Sequence, residues 1–292
     1  MIFGEEKSMK RDIRLLDGAV GTTLWQLADG AGVKRVPVWK YNLENPELVT
    51  RLHQGYIEAG SQMILANTFG ANRQMVQKSS SYTVENVVRT GVRLAREAIG
   101  DRDVTLLLAI GPLMEFMEPY GDLEEEEVED IFTEMVEAGV REGAQAAMVQ
   151  TFMDLDTMLV ACRAVKKYSL PLYATMTFEK TGKTMMGNSV EKAAKSLEDA
   201  GADGVGMNCS LGPDMAMPII SEFRKHTSLP LVFKPNAGLP ISATTGGTTA
   251  PYTAEMFVNE VRPALEFVSY IGGCCNCDFE YVRRLKAEIA KA

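Results

Sequence analysis

Three of the five cysteines have a spacing that could bring their sulfurs to one point. Cys274 and Cys275 are adjacent and follow Gly272 and Gly273, while Cys209 ends a different apolar run. Adjacent residues of a regular strand point to opposite faces, so both thiols can reach one ligand only where the strand breaks, and the two glycines permit that break. Three thiolates with an open fourth position are typical of catalytic zinc. A strained disulfide, or buried thiols that act as small apolar side chains, are the alternatives.

The charge of such a zinc centre decides which reaction it suits. Zinc with three thiolates carries a net charge of about −1, which makes it a weak Lewis acid for hydrolysis. A thiol that enters the fourth position is nevertheless deprotonated, because a metal-bound thiol ionises. The pattern therefore indicates alkylation of a substrate sulfur. We expect Cys277 and Cys162 to take no part, the second as a core residue of a helix, and we expect His53 to be an ordinary helical residue.

Motifs of other enzyme classes are absent or incomplete. Gly182-Lys183-Thr184 resembles the end of a phosphate-binding loop, but the position that requires the first glycine is Thr177. The chain contains no Gly-x-Ser-x-Gly, and its 2 histidines make a serine–histidine triad improbable.

Composition narrows the class of protein further. The 292 residues carry 30 basic and 39 acidic side chains, a formal net charge of −9, and 46% are apolar. Because no cluster of Lys and Arg exists, we expect neither nucleic acid nor a membrane as partner. No stretch approaches the ~18 apolar residues of a membrane span, and the start lacks the apolar core of a signal peptide. These features predict a cytoplasmic enzyme whose residues 1–11 form a flexible leader.

Eight short apolar runs recur along the chain, each followed by an amphipathic helical pattern. Their ends are about 37 residues apart on average, the size of one strand, one helix and two loops. This repeat predicts a single-domain (β/α)8 TIM barrel over residues 1–292, and an open doubly wound sheet is the alternative. The runs are Ile13–Leu16, Met63–Ala66, Thr105–Ile110, Ala146–Val149, Leu172–Met176, Gly204–Met207, Leu231–Phe233 and Phe267–Ile271.

Helix start and stop signals lie between these runs. Asn45-Pro46 predicts a helix that ends at Gly60, and Thr83 predicts one that ends near Gly100. Asn188, with Glu191 three residues later, resembles a capping box. An acidic run at residues 122–127 suits the positive end of a further helix.

Polar residues cluster where the predicted strands end. In a barrel these ends meet at one face, which carries the catalytic groups in enzymes of this fold. The strand ends include Asp17, Asn67-Thr68, Gln150-Thr151, Asn208-Cys209, Pro235-Asn236 and Cys274-Cys275.

Taken in order, these motifs resemble the homocysteine S-methyltransferase family. The resemblance covers residues from about 13 to 290 and implies a (β/α)8 barrel with Zn²⁺ held by Cys209, Cys274 and Cys275. The motifs are Asp17-Gly18-Ala19-Val20-Gly21-Thr22, Asn67-Thr68-Phe69, Asn208-Cys209-Ser210 with Gly212-Pro213, Pro235-Asn236-Ala237-Gly238-Leu239-Pro240 and Gly272-Gly273-Cys274-Cys275.

The same resemblance implies roles in substrate binding. Asp17 would hold the amino group of the substrate, with the backbone of Gly18 and Ala19 near its carboxylate, and Asn67 would belong to the same site. Asn236 would supply an oxygen to zinc, support the metal loop, or only shape the turn that follows Pro235.

Two positions depart from the family pattern. The family usually has Glu-Thr-Phe at the end of the fourth strand, and its glutamate takes the substrate ammonium, whereas this chain has Gln150-Thr151-Phe152. Glutamine keeps a carbonyl acceptor but loses a charge-assisted hydrogen bond, which is about twice as strong as a neutral one. The family also continues its paired cysteines with Gly-Thr, where this chain has Asn276-Cys277. Both departures concern the acceptor thiol.

The resulting prediction is a zinc-dependent S-methyltransferase that methylates a small-molecule thiol, with homocysteine as acceptor and methionine as product. Because no folate or cobalamin module follows the barrel, the methyl donor is expected from outside, as S-methylmethionine, a betaine, or methylcobalamin on a separate corrinoid protein. One alternative, motivated by Gln150, is the methyltransferase of a corrinoid-dependent demethylation system with another acceptor or donor. A second is a zinc-storing or redox-sensing barrel without catalysis.

Overall fold

Eight parallel strands form one sheet in the computed structural model, which describes residues 12–238 and 252–291. The order of the strands in the sheet is β1-β8-β7-β6-β5-β4-β3-β2, and a parallel bridge between Leu16 and Met63 joins its two ends. The (β/α)8 barrel predicted from the repeat is therefore confirmed. The strands are β1 (Arg14–Leu15), β2 (Met63–Leu65), β3 (Thr105–Ile110), β4 (Ala146–Phe152), β5 (Leu172–Met176), β6 (Gly204–Asn208), β7 (Leu231–Lys234) and β8 (Tyr270–Ile271).

Helices cover the outside of the barrel, at least one after each strand. Short 3₁₀ helices at Val38–Lys40 and Arg262–Glu266 supplement them. The α-helices are α1 (Val20–Gly30), α2 (Tyr41–Glu44), α3 (Pro46–Ala59), α4 (Arg73–Ser79), α5 (Val84–Ile99), α6 (Glu125–Arg141), α7 (Leu155–Lys166), α8 (Val190–Asp199), α9 (Pro213–His226), α10 (Ala254–Val261) and α11 (Phe279–Ile289). Among the described residues, none of these helices combines the length and the apolar character needed to cross a bilayer.

The predicted helix boundaries agree with the structure except at one cap. Helix α3 begins at Pro46 and ends before Gly60, whose φ of 112° is the left-handed value that glycine adopts without strain. Thr83 caps α5 by accepting a hydrogen bond from the Asn86 amide. The predicted Asn188 cap is wrong by one residue, because Ser189 caps α8. The predicted leader, residues 1–11, and the motif residues 239 and 240 lie outside the described part of the chain.

Two apolar cores hold the barrel together. The larger lies between the strands and the helices, and it includes the predicted core residue Cys162. The smaller fills the barrel interior with side chains from alternate strand positions, including Leu16, Leu65, Met148 and Val232. The same alternation directs the inner side chains at the carboxyl ends of the strands into the barrel, beyond this apolar filling. These inner residues are Gln150, Thr175, Asn208 and Lys234.

Candidate metal and substrate site

The three predicted cysteine ligands lie together at the carboxyl ends of β6 and β8. The sulfurs of Cys209, Cys274 and Cys275 all lie within 4.8 Å of one another, and those of Cys209 and Cys275 are 3.6 Å apart. With zinc–sulfur bonds of about 2.3 Å, tetrahedral geometry requires sulfur–sulfur distances of about 3.8 Å. All three thiols are free and partly accessible. The arrangement therefore fits a zinc ion with three protein ligands.

Local backbone geometry brings these sulfurs together. Strand β8 ends at Ile271, before the two glycines, so the paired cysteines lie in a turn that the Cys277 amide closes on the Cys274 carbonyl at 3.0 Å. A Cβ on Gly273 would lie 2.2 Å from the Cβ of Cys277, so this turn requires glycine. Cys209 has a φ of 61°, in the left-handed region, and its amide donates to the Lys234 carbonyl at 3.0 Å.

The thiols influence one another's ionisation. Hydrogen bonds from Cys274 and Cys275 lower the pKa of Cys209 well below its ordinary value. The same contact with Cys209 raises the pKa of Cys274 to about 12 and also raises the pKa of Cys275. One thiol can thus lose its proton readily, whereas the negative charge that forms opposes deprotonation of the second and the third. A bound cation removes that opposition, which is the donor chemistry expected of a metal site.

Asn236 contacts the cysteine turn at residues 272–277 through its side chain. Its Oδ1 accepts a hydrogen bond from the Cys275 amide at 3.0 Å, and its Nδ2 is buried without a partner among the described residues. The contact with the Cys275 amide is the kind that the expected support of the loop requires, and the roles of Asn236 stay predictions. The side chain is fully buried.

A second polar cluster joins β4 to β6. Thr151 has a φ of 68°, and the register of β4 against β5 shifts between Gln150 and Phe152. The Oδ1 of Asn208 accepts from the Thr151 amide at 2.8 Å and from the Thr175 hydroxyl at 2.9 Å, and its Nδ2 donates to the Thr151 hydroxyl at 2.7 Å. A β-branched residue is strained in this conformation, so Asn208 stabilises the bulge that follows Gln150.

Gln150 itself faces the barrel interior at this bulge and retains 9% of its exposure. The Nδ2 of Asn208 also lies 3.8 Å from the sulfur of Cys274. The Gln150 position and the cysteine cluster are therefore connected through a single asparagine.

Asp17 lies at the floor of this region, fully buried, and forms an ion pair with Lys234. The Lys234 Nζ is 2.6 Å from Oδ1 of Asp17, and the Leu65 amide donates to Oδ2 at 2.7 Å. The side chain of Lys234 is 3% exposed. Both oxygens of the carboxylate thus have partners from the protein.

Comparison with known proteins agrees with this geometry. The profile described as Homocysteine S-methyltransferase matches residues 14–289. The chain belongs to this family.

Relatives of the family match at modest identity. Two proteins named Methionine synthase are 27% and 29% identical, from Mycobacterium leprae and Mycobacterium tuberculosis, over 98% and 94% of this chain. The chain spans about a quarter of those relatives, 25% and 24% of their lengths. The metallated form of the homocysteine methyltransferase MmuM from Escherichia coli superposes with a TM-score of 0.78 at 21% identity, covering 95% of this chain and 96% of that one. This structural similarity supports the fold.

In this family member, the loop after β1 is hydrogen-bonded to the cysteine turn at residues 272–277. The Ala19 amide donates to the Cys277 carbonyl at 2.8 Å, and the Tyr56 hydroxyl lies 3.1 Å from the same oxygen. A Cβ on Gly18 would lie 2.1 Å from that oxygen, so the contact requires glycine. The Ala19 amide predicted to face the substrate carboxylate is therefore engaged with the loop. Burial raises the pKa of Tyr56 well above its ordinary value, which keeps its hydroxyl protonated.

Asn67 follows β2 and connects the barrel to the outer helices. Its Nδ2 donates to the Val38 carbonyl at 2.7 Å and to Oδ1 of Asn42 at 2.8 Å. The Oδ1 of Asn67 is buried without a partner among the described residues. That oxygen is the atom through which the predicted role in substrate binding would act.

Two residues of the site escaped the sequence reasoning. Lys234 carried a signal, because a lysine that directly follows the apolar run Leu231–Phe233 is placed at a strand end, where burial would require an ion pair. Asn208 stood inside a recognised motif, but its function as a clamp depends on the bulge at Thr151, which the sequence does not reveal.

Proposed function

We propose that this protein is a zinc-dependent S-methyltransferase that transfers a methyl group to a thiol. Cys209, Cys274 and Cys275 would hold the zinc, and homocysteine, which gives the family its name, would be the acceptor that becomes methionine. The observation that carries the proposal is the convergence of three free thiols at the catalytic face of the barrel, with spacing close to that of a tetrahedral zinc site.

When bound, zinc would supply a site at which the acceptor thiol loses its proton at neutral pH. The residues of the protein prepare that site. Asn236 holds the Cys275 amide, and Asn208 contacts the sulfur of Cys274, so the loop keeps its shape before an acceptor arrives. Such supporting contacts typically change metal affinity by about 10–100-fold.

The methyl transfer itself would be a displacement at carbon. The acceptor sulfur contributes an electron pair to a new sulfur–carbon bond, the bond between the methyl carbon and the donor breaks, and its electron pair leaves with the donor. The acceptor's proton passes to solvent. The barrel contributes by aligning the sulfur with the methyl carbon, since correct alignment can remove about 7–11 kcal/mol of a barrier.

The donor would be a small molecule with an activated methyl group, such as S-methylmethionine or a betaine, or a methylcobalamin carried by a separate corrinoid protein. Free thiols at the site suit a reducing compartment, so we expect the protein to act in the cytoplasm.

Metal content and methyl transfer can be tested together. The purified protein should bind one zinc, and the zinc-loaded protein should form methionine from homocysteine with at least one of the three donor classes. Replacement of Cys209, Cys274 or Cys275 by Ala should abolish stoichiometric zinc binding and transfer.

Cys162→Ala is a matched control, because Cys162 is buried in α7 away from the site. It should keep both zinc and activity. Full zinc binding by Cys209→Ala would contradict the assignment of the metal ligands, and a zinc-loaded protein inert with every donor would contradict the methyltransferase.

A second candidate is a methyltransferase of a corrinoid-dependent demethylation system that uses another acceptor or donor. Gln150 favours it, because this position lacks the carboxylate that the family usually offers to the homocysteine ammonium. Kinetics with homocysteine and with other thiols distinguish the two: no saturation by homocysteine at millimolar concentration would favour the second candidate.

A further inference from the structure

Five polar side chains lie inside the barrel at the carboxyl ends of the strands. Their formal charges sum to zero. Asp17 is the one acid among them and Lys234 the one base. The other three are neutral: Gln150, Thr175 and Asn208.

The buried ion pair leaves Asp17 little capacity for another cation. Its Oδ1 lies 2.6 Å from the Lys234 ammonium, and its Oδ2 accepts from the Leu65 amide at 2.7 Å. Both side chains are almost completely buried. A second ammonium at this carboxylate would have to leave water and would lie next to the ammonium of Lys234, whose like charge repels it.

Besides the partnerless Oδ1 of Asn67, which is also neutral, Gln150 is an acceptor in the barrel interior that a substrate ammonium could use. Its partner in the β4–β5 ladder is Thr175, whose hydroxyl donates to Asn208, so the side chains next to it in this cluster are neutral. An amide oxygen offers a neutral acceptor, which gains only about half of what a carboxylate gains from an ammonium. Neither position therefore provides an unpaired negative charge.

We propose that the acceptor site does not select for an α-ammonium group, and that thiols without an amino group are acceptors of this protein alongside homocysteine. Lys234 is the positioning residue in this proposal, since it acts on specificity through Asp17. Gln150 is the second acceptor position, and it is neutral. The proposal rests on the proposed methyltransferase function and adds the chemical class of its acceptor.

The test compares homocysteine with 4-sulfanylbutanoate, which has the same chain and carboxylate but no amino group. The zinc-loaded protein should show a ratio of kcat/KM, homocysteine over 4-sulfanylbutanoate, below about tenfold. Sites built to hydrogen-bond a substrate group reject the analogue that lacks it by about 10⁴–10⁵-fold. A ratio above tenfold overturns the proposal.

Variants test whether the charges at Asp17 and Lys234 and the neutrality of Gln150 determine the kcat/KM ratio of the two thiols. Gln150→Glu restores a carboxylate at the inner acceptor, and we expect it to raise the ratio at least tenfold by improving homocysteine alone. Lys234→Met, which leaves Asp17 without its partner ammonium, should raise the ratio in the same direction. Damage to the fold would lower activity with both thiols and leave the ratio unchanged. If Lys234→Met does not fold, the Gln150→Glu result decides, and an unchanged ratio there overturns the proposal.

Binding measurements distinguish a failure of this acceptor proposal from a failure of the proposed methyltransferase function. Calorimetric titration of the zinc-loaded protein gives Kd for both thiols whether or not a methyl group is transferred. Similar Kd values without transfer would refute the methyltransferase but support the acceptor class. Methyl transfer to homocysteine, with a Kd for homocysteine more than tenfold below that for 4-sulfanylbutanoate, would support the methyltransferase but refute the proposed acceptor class. Failure of both thiols to bind would overturn both.

Discussion

Removal of the Lys234 ammonium should destabilise the barrel strongly. In Lys234→Met the carboxylate of Asp17 stays fully buried and keeps one hydrogen bond, from the Leu65 amide. Breaking a buried ion pair from one side costs about 3–5 kcal/mol, because an uncompensated charge remains. The double variant Asp17→Asn with Lys234→Met removes both charges and retains an oxygen for Leu65. It leaves only the new amide NH₂ unpaired, at about 1–3 kcal/mol.

Urea denaturation of the metal-free proteins near neutral pH measures these differences, with Cys162→Ala as the reference variant. The double variant should be more stable than Lys234→Met by about 2 kcal/mol, the difference between the two costs. The reasoning is refuted if Lys234→Met loses less than about 1 kcal/mol, the size of an exposed ion pair, or if the second substitution adds to the loss.

Three further perturbations test other parts of the structure. Burial lowers the pKa of His53 to about 4 from an ordinary 6.5. Between these pH values the unfolded chain binds a proton at His53 and the native state does not. The free energy of unfolding of the wild type should therefore fall by up to about 3 kcal/mol as pH drops from 6.5 to 4. His53→Leu should lack this component, as urea denaturation across that range would show. Asn236→Ala should weaken zinc binding by about 10–100-fold in a chelator competition, because the Cys275 amide loses its acceptor. Asn208→Ala should cost about 2–4 kcal/mol in urea denaturation and raise hydrogen exchange at the Thr151 amide, because it removes three hydrogen bonds.

Each of these results has a clear contrary outcome. Parallel stability curves for His53→Leu and wild type over the acid range would show that His53 is protonated in the native state. Unchanged zinc affinity in Asn236→Ala would mean that the loop keeps its shape without that contact. Protection of the Thr151 amide in Asn208→Ala would mean that the bulge is held by the backbone alone.

Much of the fold could be predicted because its signals are local and repeated. Each buried strand is a short apolar run, and helix boundaries such as Pro46 and Gly60 follow from the restricted or permissive backbone of proline and glycine. The cap of α8 was misplaced by one residue because Asn188 and Ser189 can both accept the capping hydrogen bond, and only the path of the chain distinguishes them.

The convergence of Cys209, Cys274 and Cys275 was predictable for a different reason. Cysteines at the ends of parallel strands must meet at one face, so adjacency in sequence and strand topology together determine their position. The partners of Asp17 were not predictable in this way. Lys234 lies 217 residues along the chain from Asp17, and their contact depends on side-chain lengths and directions inside the closed barrel. The same holds for Asn208, whose three hydrogen bonds require a left-handed Thr151.

The carbonyl of Cys277 connects the cysteine turn to the loop that follows the first strand. Only two residue pairs join β1 to β8, so this contact adds substantially to a short seam. Zinc bound at the proposed site would therefore link metal occupancy to closure of the barrel at this contact. An ion that binds the closed form at a hundred times its Kd contributes about 2.7 kcal/mol to that form, provided the open form does not bind it. A chelator would then act on this protein as a mild denaturant directed at one seam.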